Sequence, residues 1–368
     1  MAMTSRCPDI DALRVLACYL LFPFHAGRVF DDQFYHLKAL APVAELSWLT
    51  AFLHCWHMPL FFFVAGWAAA GMLTQRGPGA FLRDRAWRLL PPLLLGILVA
   101  VPLIKYVELS QGIDLKSCGP AAAGWFQESF WTHYIRFFSH LRRFSWSHLW
   151  FLVYLLLYTL LLLPLLLRIN RTPVQQGGGW SWLTAPLLGL GLVELVLRPW
   201  FGDYPNLYRD WANHLSFCQF FLLGALAARH PGFDLALTRQ GPWLGLAGVL
   251  AGVWVASGWG PLEARLLVRP LAAWGCVAGL YGLFRHRVPA SPRLLGLAEA
   301  SIAIYVLHHP ILVLVAAWVL TLPVGPWLGF VLIALLAWGL TQGIYGVLVQ
   351  RQPWVRRALG MNPNPRVP

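Results

Sequence analysis

Long apolar stretches recur along the whole chain, and this feature restricts the fold more than any other. About ten of them reach the roughly 20 residues that an α-helix needs to cross the hydrocarbon core of a bilayer. They lie at about 12–30, 47–70, 88–107, 148–168, 180–198, 212–229, 241–259, 265–284, 300–321 and 326–349. The sequence therefore predicts an all-α polytopic membrane protein with about ten transmembrane helices.

The composition supports this fold class and disfavours others. Hydrophobic residues make up 58% of the 368 residues, charged residues only 12%, and the mean hydropathy is +0.59, values outside the range of soluble globular domains. The net charge of +13 comes from basic residues dispersed among the apolar stretches, so a nucleic-acid partner is not expected. The six Cys lack the spacing of a metal site, and we expect neither a bound metal nor a removable signal peptide.

The basic residues concentrate in alternate connections between the apolar stretches. Arginines are frequent near 76–88, 168–171, 229–239, 285–293 and 351–357, whereas the intervening connections are richer in acidic residues. Because cytoplasmic loops are enriched in Lys and Arg, this alternation predicts that both termini are cytoplasmic. We expect a single membrane domain over residues 1–368, with a short cytoplasmic tail from about residue 350.

The longest predicted outer connection runs from about Glu108 to Ser147 and is rich in aromatic residues. A connection of this length is often functional, as a lid or a binding surface. Its aromatic and Arg content is equally typical of an interfacial helix that rests on the bilayer. The sequence leaves both alternatives open.

The first apolar stretch contains polar residues at helical spacing. Arg14 and His25 are eleven residues apart, so on one continuous helix both side chains would face the same direction, about 16 Å apart along the axis. Asp11 lies one turn before Arg14, and Pro23 can kink the helix. Ionisable residues within a membrane span are costly and indicate a functional site. We therefore predict that this helix contributes to one.

Two further histidines lie inside apolar stretches, His57 in the second and His308 in the ninth. Three interpretations of these imidazoles and of His25 compete: zinc ligands, hydrogen bonds between helices, or a general base that takes a proton from a hydroxyl. Zinc is disfavoured because no Cys or carboxylate is placed to complete a ligand set. A structural hydrogen bond is favoured for His54 and His309, whereas His25 is the candidate base.

Arg85 and Arg88 lie three residues apart at the start of the third apolar stretch and therefore share a helix face. Arginine binds phosphate groups through paired hydrogen bonds better than Lys does, and Arg14, at the inner end of the first helix, can join the pair. The alternative is that these residues only fix the topology and contact lipid headgroups.

Taken together, these residues resemble the membrane-bound acyltransferase 3 family. The run DIDALRVLACYLLFPFH is similar to the family's first-helix pattern, in which an Arg and a His are separated by ten residues, as Arg14 and His25 are. Further blocks follow in the family's order: Arg85 to Arg88, HMPLFFFVAG from His57, HLWFLVYLLL from His148, which includes Trp150, and IYVLHHPI from Ile304. The first block most resembles the branch of glucan-modifying, succinyl-transferring enzymes of the bacterial inner membrane.

The resemblance implies transfer of an acyl group, acetyl or succinyl, from cytoplasmic acyl-coenzyme A to a hydroxyl of a glycan or other cell-envelope acceptor, with no permanently bound cofactor. It implies that His25 is catalytic, either as a base or as an acylated intermediate, and that Arg14, Arg85 and Arg88 contact the coenzyme. The residues expected to support or orient this chemistry are Asp11, His57, His308 and Trp150.

A transporter of an organic anion or a lipid-linked solute is the competing class of function. Intramembrane His and Arg and proline-interrupted helices also suit such a protein. An acyl relay to an attached soluble domain, which occurs in other family members, is not expected in this chain. The identities of the acyl group and the acceptor, and the oligomeric state, are left open by the sequence.

Overall fold

A computed structural model describes residues 7–117, 119–120, 126–171 and 179–364 of the chain. The α-helices are α1 (Pro8–Tyr19), α2 (Leu21–Arg28), α3 (Ala44–Leu95), α4 (Val101–Ser110), α5 (Phe130–Ser139), α6 (Trp150–Leu161), α7 (Leu163–Arg171), α8 (Trp180–Val196), α9 (Trp211–Arg229), α10 (Pro231–Ala256), α11 (Leu262–Phe284), α12 (Pro292–Val319), α13 (Pro326–Ile344) and α14 (Pro353–Ala358). Short π-helical segments, Gly96–Ala100 and Tyr345–Val349, follow α3 and α13, and 3-10 turns occur at Leu115–Ser117 and Ser147–Leu149. Two two-residue strands, β1 (Ile113–Asp114) and β2 (Gly119–Pro120), pair antiparallel. The predicted all-α class is confirmed.

Five helical stretches in the described residues are long and apolar enough to cross a membrane: Pro8–Arg28, Ala44–Ser110, Leu262–Phe284, Pro292–Val319 and Pro326–Val349. A sixth is obtained if the bent pair Ser147–Leu161 and Leu163–Arg171, which meet at 59°, forms one span. The protein is therefore an integral membrane protein. The larger number of ten helices and the cytoplasmic location of both termini stay predictions.

The second of these stretches, Ala44–Ser110, is too long for a single crossing. Its 67 residues would form a straight helix about 100 Å long, whereas the hydrocarbon core is about 30 Å thick. Gly77 interrupts the stretch with a φ of 72°, which a residue without Cβ adopts at low cost. This interruption lies in the arginine-rich connection predicted between the second and third apolar stretches.

The chain divides into two compact units, each built from several segments. Unit 1 comprises the chain up to Ala17, Ala51–Ala86 and Val153–Ala298, and unit 2 comprises Cys18–Thr50, Trp87–Leu152 and the chain from Glu299. The single membrane domain expected over residues 1–368 stays a prediction.

Within unit 1, α10 and α11 approach each other closely through glycines. A Cβ atom added at Gly245 would lie 2.7 Å from Cα of Gly279, and one added at Gly275 would lie 2.6 Å from Cα of Gly248. Both distances are well below a normal contact of about 3.5–4 Å between two carbon atoms. Small residues thus let the two helix backbones pack directly, a common device in membrane proteins.

Within unit 2, the connection between α2 and α3 is anchored by a buried carboxylate. Asp31 accepts hydrogen bonds from the guanidinium of Arg28 at 2.8 Å, the ammonium of Lys38 at 2.8 Å and the hydroxyl of Thr50 at 2.9 Å. Burial lowers the pKa of Lys38, and the neighbouring Asp31 opposes that shift. These bonds fix the path of residues 29–43 and so position Tyr35 and His36.

Candidate active site

Five histidines meet within unit 2. His25 lies on α2, His36 in the anchored connection, His148 in the 3-10 turn before α6, and His308 and His309 on α12. His309 is central: its ring centroid lies 4.5 Å from that of His25, 4.9 Å from that of His36 and 4.8 Å from that of His148. We call these five residues, together with Tyr35, the histidine cluster.

Tyr35 connects two imidazoles of the histidine cluster. Its hydroxyl oxygen lies 3.2 Å from Nδ1 of His25 and 2.8 Å from Nε2 of His309. Burial raises the pKa of Tyr35 well above its usual value, so the phenol keeps its proton. A phenol donates one hydrogen bond and accepts others, so Tyr35 donates to one imidazole and accepts the N–H of the other. Nδ1 of His25 is therefore engaged by Tyr35.

His36 is hydrogen-bonded to an acidic residue. Its Nδ1 lies 2.6 Å from Oε2 of Glu108, which is at the end of α4, and both side chains are buried. Because a carboxylate only accepts hydrogen bonds, the hydrogen of His36 is on Nδ1. Glu108 therefore orients the imidazole and fixes which of its nitrogens carries hydrogen.

Pro310 shapes the part of α12 that faces this cluster. A proline has no N–H, so it cannot bond to the carbonyl four residues earlier in its helix, which is that of Val306. Nε2 of His148 donates a hydrogen bond to this carbonyl at 3.1 Å. On the same helix, Nδ1 of His308 donates to the carbonyl of Tyr305 at 2.7 Å. Both interactions fix imidazole orientations inside unit 2.

Two buried nitrogen atoms of the cluster, Nδ1 of His148 and Nδ1 of His309, have no hydrogen-bond partner among the described residues. Leaving a buried polar group unsatisfied costs about 1–3 kcal/mol, and most such groups in proteins have a partner. Over the described ranges, no group of three or more His, Cys, Asp or Glu residues has the geometry to hold a metal ion.

His25 is the most accessible imidazole of the cluster. Its side chain is partly exposed, whereas His36, His148, His308 and His309 are buried. Among the histidines of the cluster, His25 is therefore the one that a substrate can contact most readily.

The structure brings together some of the residues predicted from sequence. His25 and His308 both belong to the cluster, with ring centroids 5.3 Å apart. Trp150 begins α6, two residues after His148, and is partly exposed. His57 belongs to unit 1, where its Nε2 donates to the carbonyl of Ala17 at 2.7 Å. This bond ties α3 to α1, the helix–helix role that was one of the interpretations of the histidines.

The predicted coenzyme contacts differ in their surroundings. Arg14 forms an ion pair with Asp11 at 2.7 Å and keeps 27% of its side chain exposed. Arg85 is buried, donates to the carbonyl of Ala65 at 3.3 Å and stacks on Phe81, with 5.8 Å between the guanidinium carbon and the ring centroid. Arg88 is exposed.

The first helix is interrupted between Arg14 and His25. α1 ends at Tyr19 and α2 begins at Leu21, two residues before Pro23. The missing N–H of Pro23 leaves a carbonyl of the preceding turn without its usual donor. Arg14 belongs to unit 1 and His25 to unit 2, and their common face stays a prediction.

Several residues of the site were not identified from the sequence. Tyr35, His36 and Glu108 lie in or next to predicted outer connections, where polar residues are ordinary, and the sequence favours a structural hydrogen bond for His309. In the sequence, His148 stands out only as the start of a family block. One usable signal was the adjacent pair His308–His309 before Pro310, because a proline frees a carbonyl that a histidine elsewhere can bind.

A second polar network lies in unit 1. Asp203 pairs with Arg269, with Arg198 at 3.4 Å and with His54 at 3.0 Å, and Arg198 also pairs with Glu194 at 2.9 Å. Burial favours the neutral acid, but Arg269 and His54 outweigh it and hold the pKa of Asp203 well below its usual value. These carboxylates are matched by arginines, which favours a structural role.

The predicted outer segment contains the amphipathic helix α5. His133 and Phe137 are buried, whereas Trp131, Ile135 and Phe138 are exposed. An exposed apolar face that includes Trp is typical of a helix resting at the membrane interface. Whether the whole segment from Glu108 to Ser147 is an interfacial element or a lid stays open.

Comparisons with known proteins identify a matching family profile and several similar proteins. The sequence profile described as "acyltransferase domain", of the acyltransferase 3 type, matches residues 8–345. Relatives called glucans biosynthesis protein C, from Escherichia coli O6:K15:H31 (strain 536), O157:H7 and O9:H4 (strain HS), are each 25% identical over 346 residues, which are 87% of this chain and 86% of the relative. No solved structure matches the chain.

Proposed function

We propose that this protein, which belongs to the acyltransferase 3 family, transfers an acetyl or succinyl group from acyl-coenzyme A to a hydroxyl of a cell-envelope glycan. The family profile covers most of the chain and favours an enzyme over the alternative of a transporter. The printed name of the relatives, glucans biosynthesis protein C, supports a glucan acceptor. Their bacterial origin supports a location in the bacterial inner membrane.

His25 is the proposed catalytic residue. The observation that carries this assignment is its position: a partly exposed imidazole, held at Nδ1 by Tyr35, in a cluster of buried histidines. Two routes use Nε2. As a base, it takes the proton of the acceptor hydroxyl, whose oxygen attacks the thioester carbon as the C–S bond breaks. As a nucleophile, it attacks that carbon itself, the thiolate leaves, and the hydroxyl then attacks the acyl-imidazole.

The proposed coenzyme contacts are Arg14, Arg85 and Arg88, because guanidinium groups bind phosphates through paired hydrogen bonds. Asp11 orients Arg14 through their ion pair. Exposure makes Arg14 and Arg88 the more accessible contacts, whereas the buried Arg85 requires that a phosphate reach the interior of unit 1.

The remaining predicted residues have supporting roles in this proposal. His57 fixes α1 through the carbonyl of Ala17. His308 packs against His25, and Trp150 begins the helix that follows His148. No permanently bound cofactor is required, because the acyl donor is consumed in each turnover.

The function is tested with the purified protein in lipid nanodiscs. Radiolabelled acetyl- and succinyl-coenzyme A are offered with purified envelope glucan, and the glucan is analysed for label and added mass. We expect an acyl ester on the glucan that depends on the thioester. Solute flux into proteoliposomes without a thioester, together with an unlabelled glucan, would instead support the transporter. Mass analysis of envelope glycans and lipids from cells with and without the protein identifies the natural acceptor and acyl group.

A further inference from the structure

Glu108 and His36 form a buried carboxylate–imidazole pair inside unit 2. Their exposures are 2% and 7%. Oε1 of Glu108 accepts hydrogen bonds from the ammonium of Lys105 and, at 2.9 Å, from the backbone N–H of Leu115, while Oε2 accepts from Nδ1 of His36. A carboxylate with both oxygens engaged is fixed in place. It holds the imidazole with its hydrogen on Nδ1, as the acid does in catalytic acid–histidine pairs.

His36 shares the central ring of the cluster with His25. The ring of His309 lies 4.5 Å from that of His25 and 4.9 Å from that of His36, and Tyr35 is in ring contact with both. Within the part of the chain that the structure describes, Nε2 of His36 makes no hydrogen bond. The cluster thus offers two differently supported imidazoles, one held by a phenol and one by a carboxylate.

A structural tether is one use of the pair, but the connection that carries His36 has other anchors. The connection that carries His36 is already anchored by Asp31, Lys38, Arg28 and Thr50. Taking a carboxylate out of water costs several kcal/mol, which is recovered only with well-placed partners, and apolar packing often serves stability as well. A carboxylate behind an imidazole does have a chemical use, because it stabilises the imidazolium that forms when the imidazole accepts a proton.

We propose that His36, oriented by Glu108, is the base that takes the proton of the acceptor hydroxyl, and that His25 carries the acyl group. This inference rests on the proposed function and selects the nucleophilic route for His25. Nε2 of His25 first forms a bond to the thioester carbon, the C–S bond breaks, and coenzyme A leaves as a thiolate. Nε2 of His36 then takes the hydroxyl proton, the acceptor oxygen bonds to the acyl carbon, and the bond between that carbon and His25 breaks. The proton on His36 passes to the departing thiolate or to water, which regenerates both imidazoles.

The two steps are separated by two assays on the same purified protein in nanodiscs. Exchange of labelled free coenzyme A into unlabelled acyl-coenzyme A, without acceptor, requires only the first step. Label transfer from acyl-coenzyme A to envelope glucan requires both. A general base contributes roughly 10²–10⁴-fold to a rate, so His36→Asn is expected to lower glucan transfer about 100-fold and to leave exchange within about 3-fold. Glu108→Gln keeps an oxygen that accepts from Nδ1 but removes the charge, and the same split is expected with a transfer loss of about 10-fold.

Other outcomes overturn the proposal. Equal loss of exchange and transfer in folded His36→Asn, or retention of both, would show that His36 is not the acceptor base. Glucan transfer without exchange in the wild type would show direct attack on the thioester. Under the proposed function His25→Asn loses both activities; a wild type that lacks both would overturn the proposed function itself.

His133→Asn is the matched control. His133 is another buried imidazole of unit 2 outside the cluster, and its Nε2 donates to the carbonyl of Pro102 at 3.2 Å. Both rates should stay within about 2-fold of the wild type in this variant. All variants are compared at equal amounts of monodisperse protein, so that a folding defect is recognised before rates are measured.

Discussion

Replacement of Tyr35 by Phe removes one oxygen atom and two hydrogen bonds of the histidine cluster. The hydroxyl contacts Nε2 of His309 at 2.8 Å and Nδ1 of His25 at 3.2 Å. In Tyr35→Phe, His309 would have neither nitrogen partnered within the described residues, because its Nδ1 already has no partner. Each unsatisfied buried group costs about 1–3 kcal/mol.

The effect on the rate follows from how Tyr35 holds His25. If the loss of these hydrogen bonds destabilises the transition state by about 1.4–2.8 kcal/mol relative to the bound substrate, the turnover number decreases about 10- to 100-fold. The KM for acyl-coenzyme A should change by less than about 3-fold, since Tyr35 is not among the proposed coenzyme contacts. The measurement is steady-state label transfer to envelope glucan with varied acyl-coenzyme A.

Tyr134→Phe is the control for the loss of a phenol hydroxyl. Tyr134 lies on α5, donates to the carbonyl of Leu98 at 3.1 Å and is not a member of the cluster. Its turnover number should stay within about 2-fold of the wild type. A Tyr35→Phe protein with an unchanged turnover number would refute the role of Tyr35 in holding His25.

Three further predictions concern stability. Gly275→Ala should lower the melting temperature in detergent, because its Cβ would lie 2.6 Å from Cα of Gly248 and such overpacking typically costs about 1–3 kcal/mol. Gly339→Ala, whose Cβ meets no atom within 4 Å, should leave the melting temperature unchanged. Burial raises the pKa of Asp210 to about 7, so its ionisation is unfavourable in the folded protein and the free energy of unfolding should decrease as pH rises from about 4 to 7. In Asp210→Asn, the melting temperature should not show this decrease with pH. Hydrogen bonds from Arg143 and Arg136 lower the pKa of Glu128 to about 2, so the contribution of Glu128 to local stability is complete above about pH 4.5 and is lost as pH falls toward 2. Limited proteolysis near α5 should therefore increase in acid in the wild type but not in Glu128→Gln.

The fold class followed directly from the sequence, because a helix that crosses a bilayer needs a long apolar segment. The interruption at Gly77 also agreed with the predicted connection between two such segments. The break between α1 and α2 was foreseen only as a kink at Pro23, since a proline shows which hydrogen bond is missing but not how the chain compensates.

The site was predictable where a polar residue lies inside an apolar segment. His25 and His308 were identified in this way, because an ionisable side chain within a membrane helix is energetically costly and indicates a functional site. Tyr35, His36 and Glu108 gave no such signal, since they lie in or next to the predicted outer connections, where polar residues are common. Their meeting depends on packing among α2, α4 and the connection after α2, which spacing along one helix does not reveal.

The same limit applies to the arginines. Spacing placed Arg85 and Arg88 on one helix face, yet Arg85 is buried and Arg88 is exposed. Burial depends on what packs against each residue, and a sequence pattern within one segment carries no such information.

The role of His25 is tested most directly by the initial rate of label transfer from acyl-coenzyme A to envelope glucan in wild type and His25→Gln. The two proteins are compared as equal amounts of monodisperse protein in nanodiscs. Gln keeps a polar side chain of similar size but neither titrates near neutral pH nor attacks a thioester. We predict a loss of about 1,000-fold, and transfer at the wild-type rate by the His25→Gln protein would contradict the assignment of His25 as the catalytic residue.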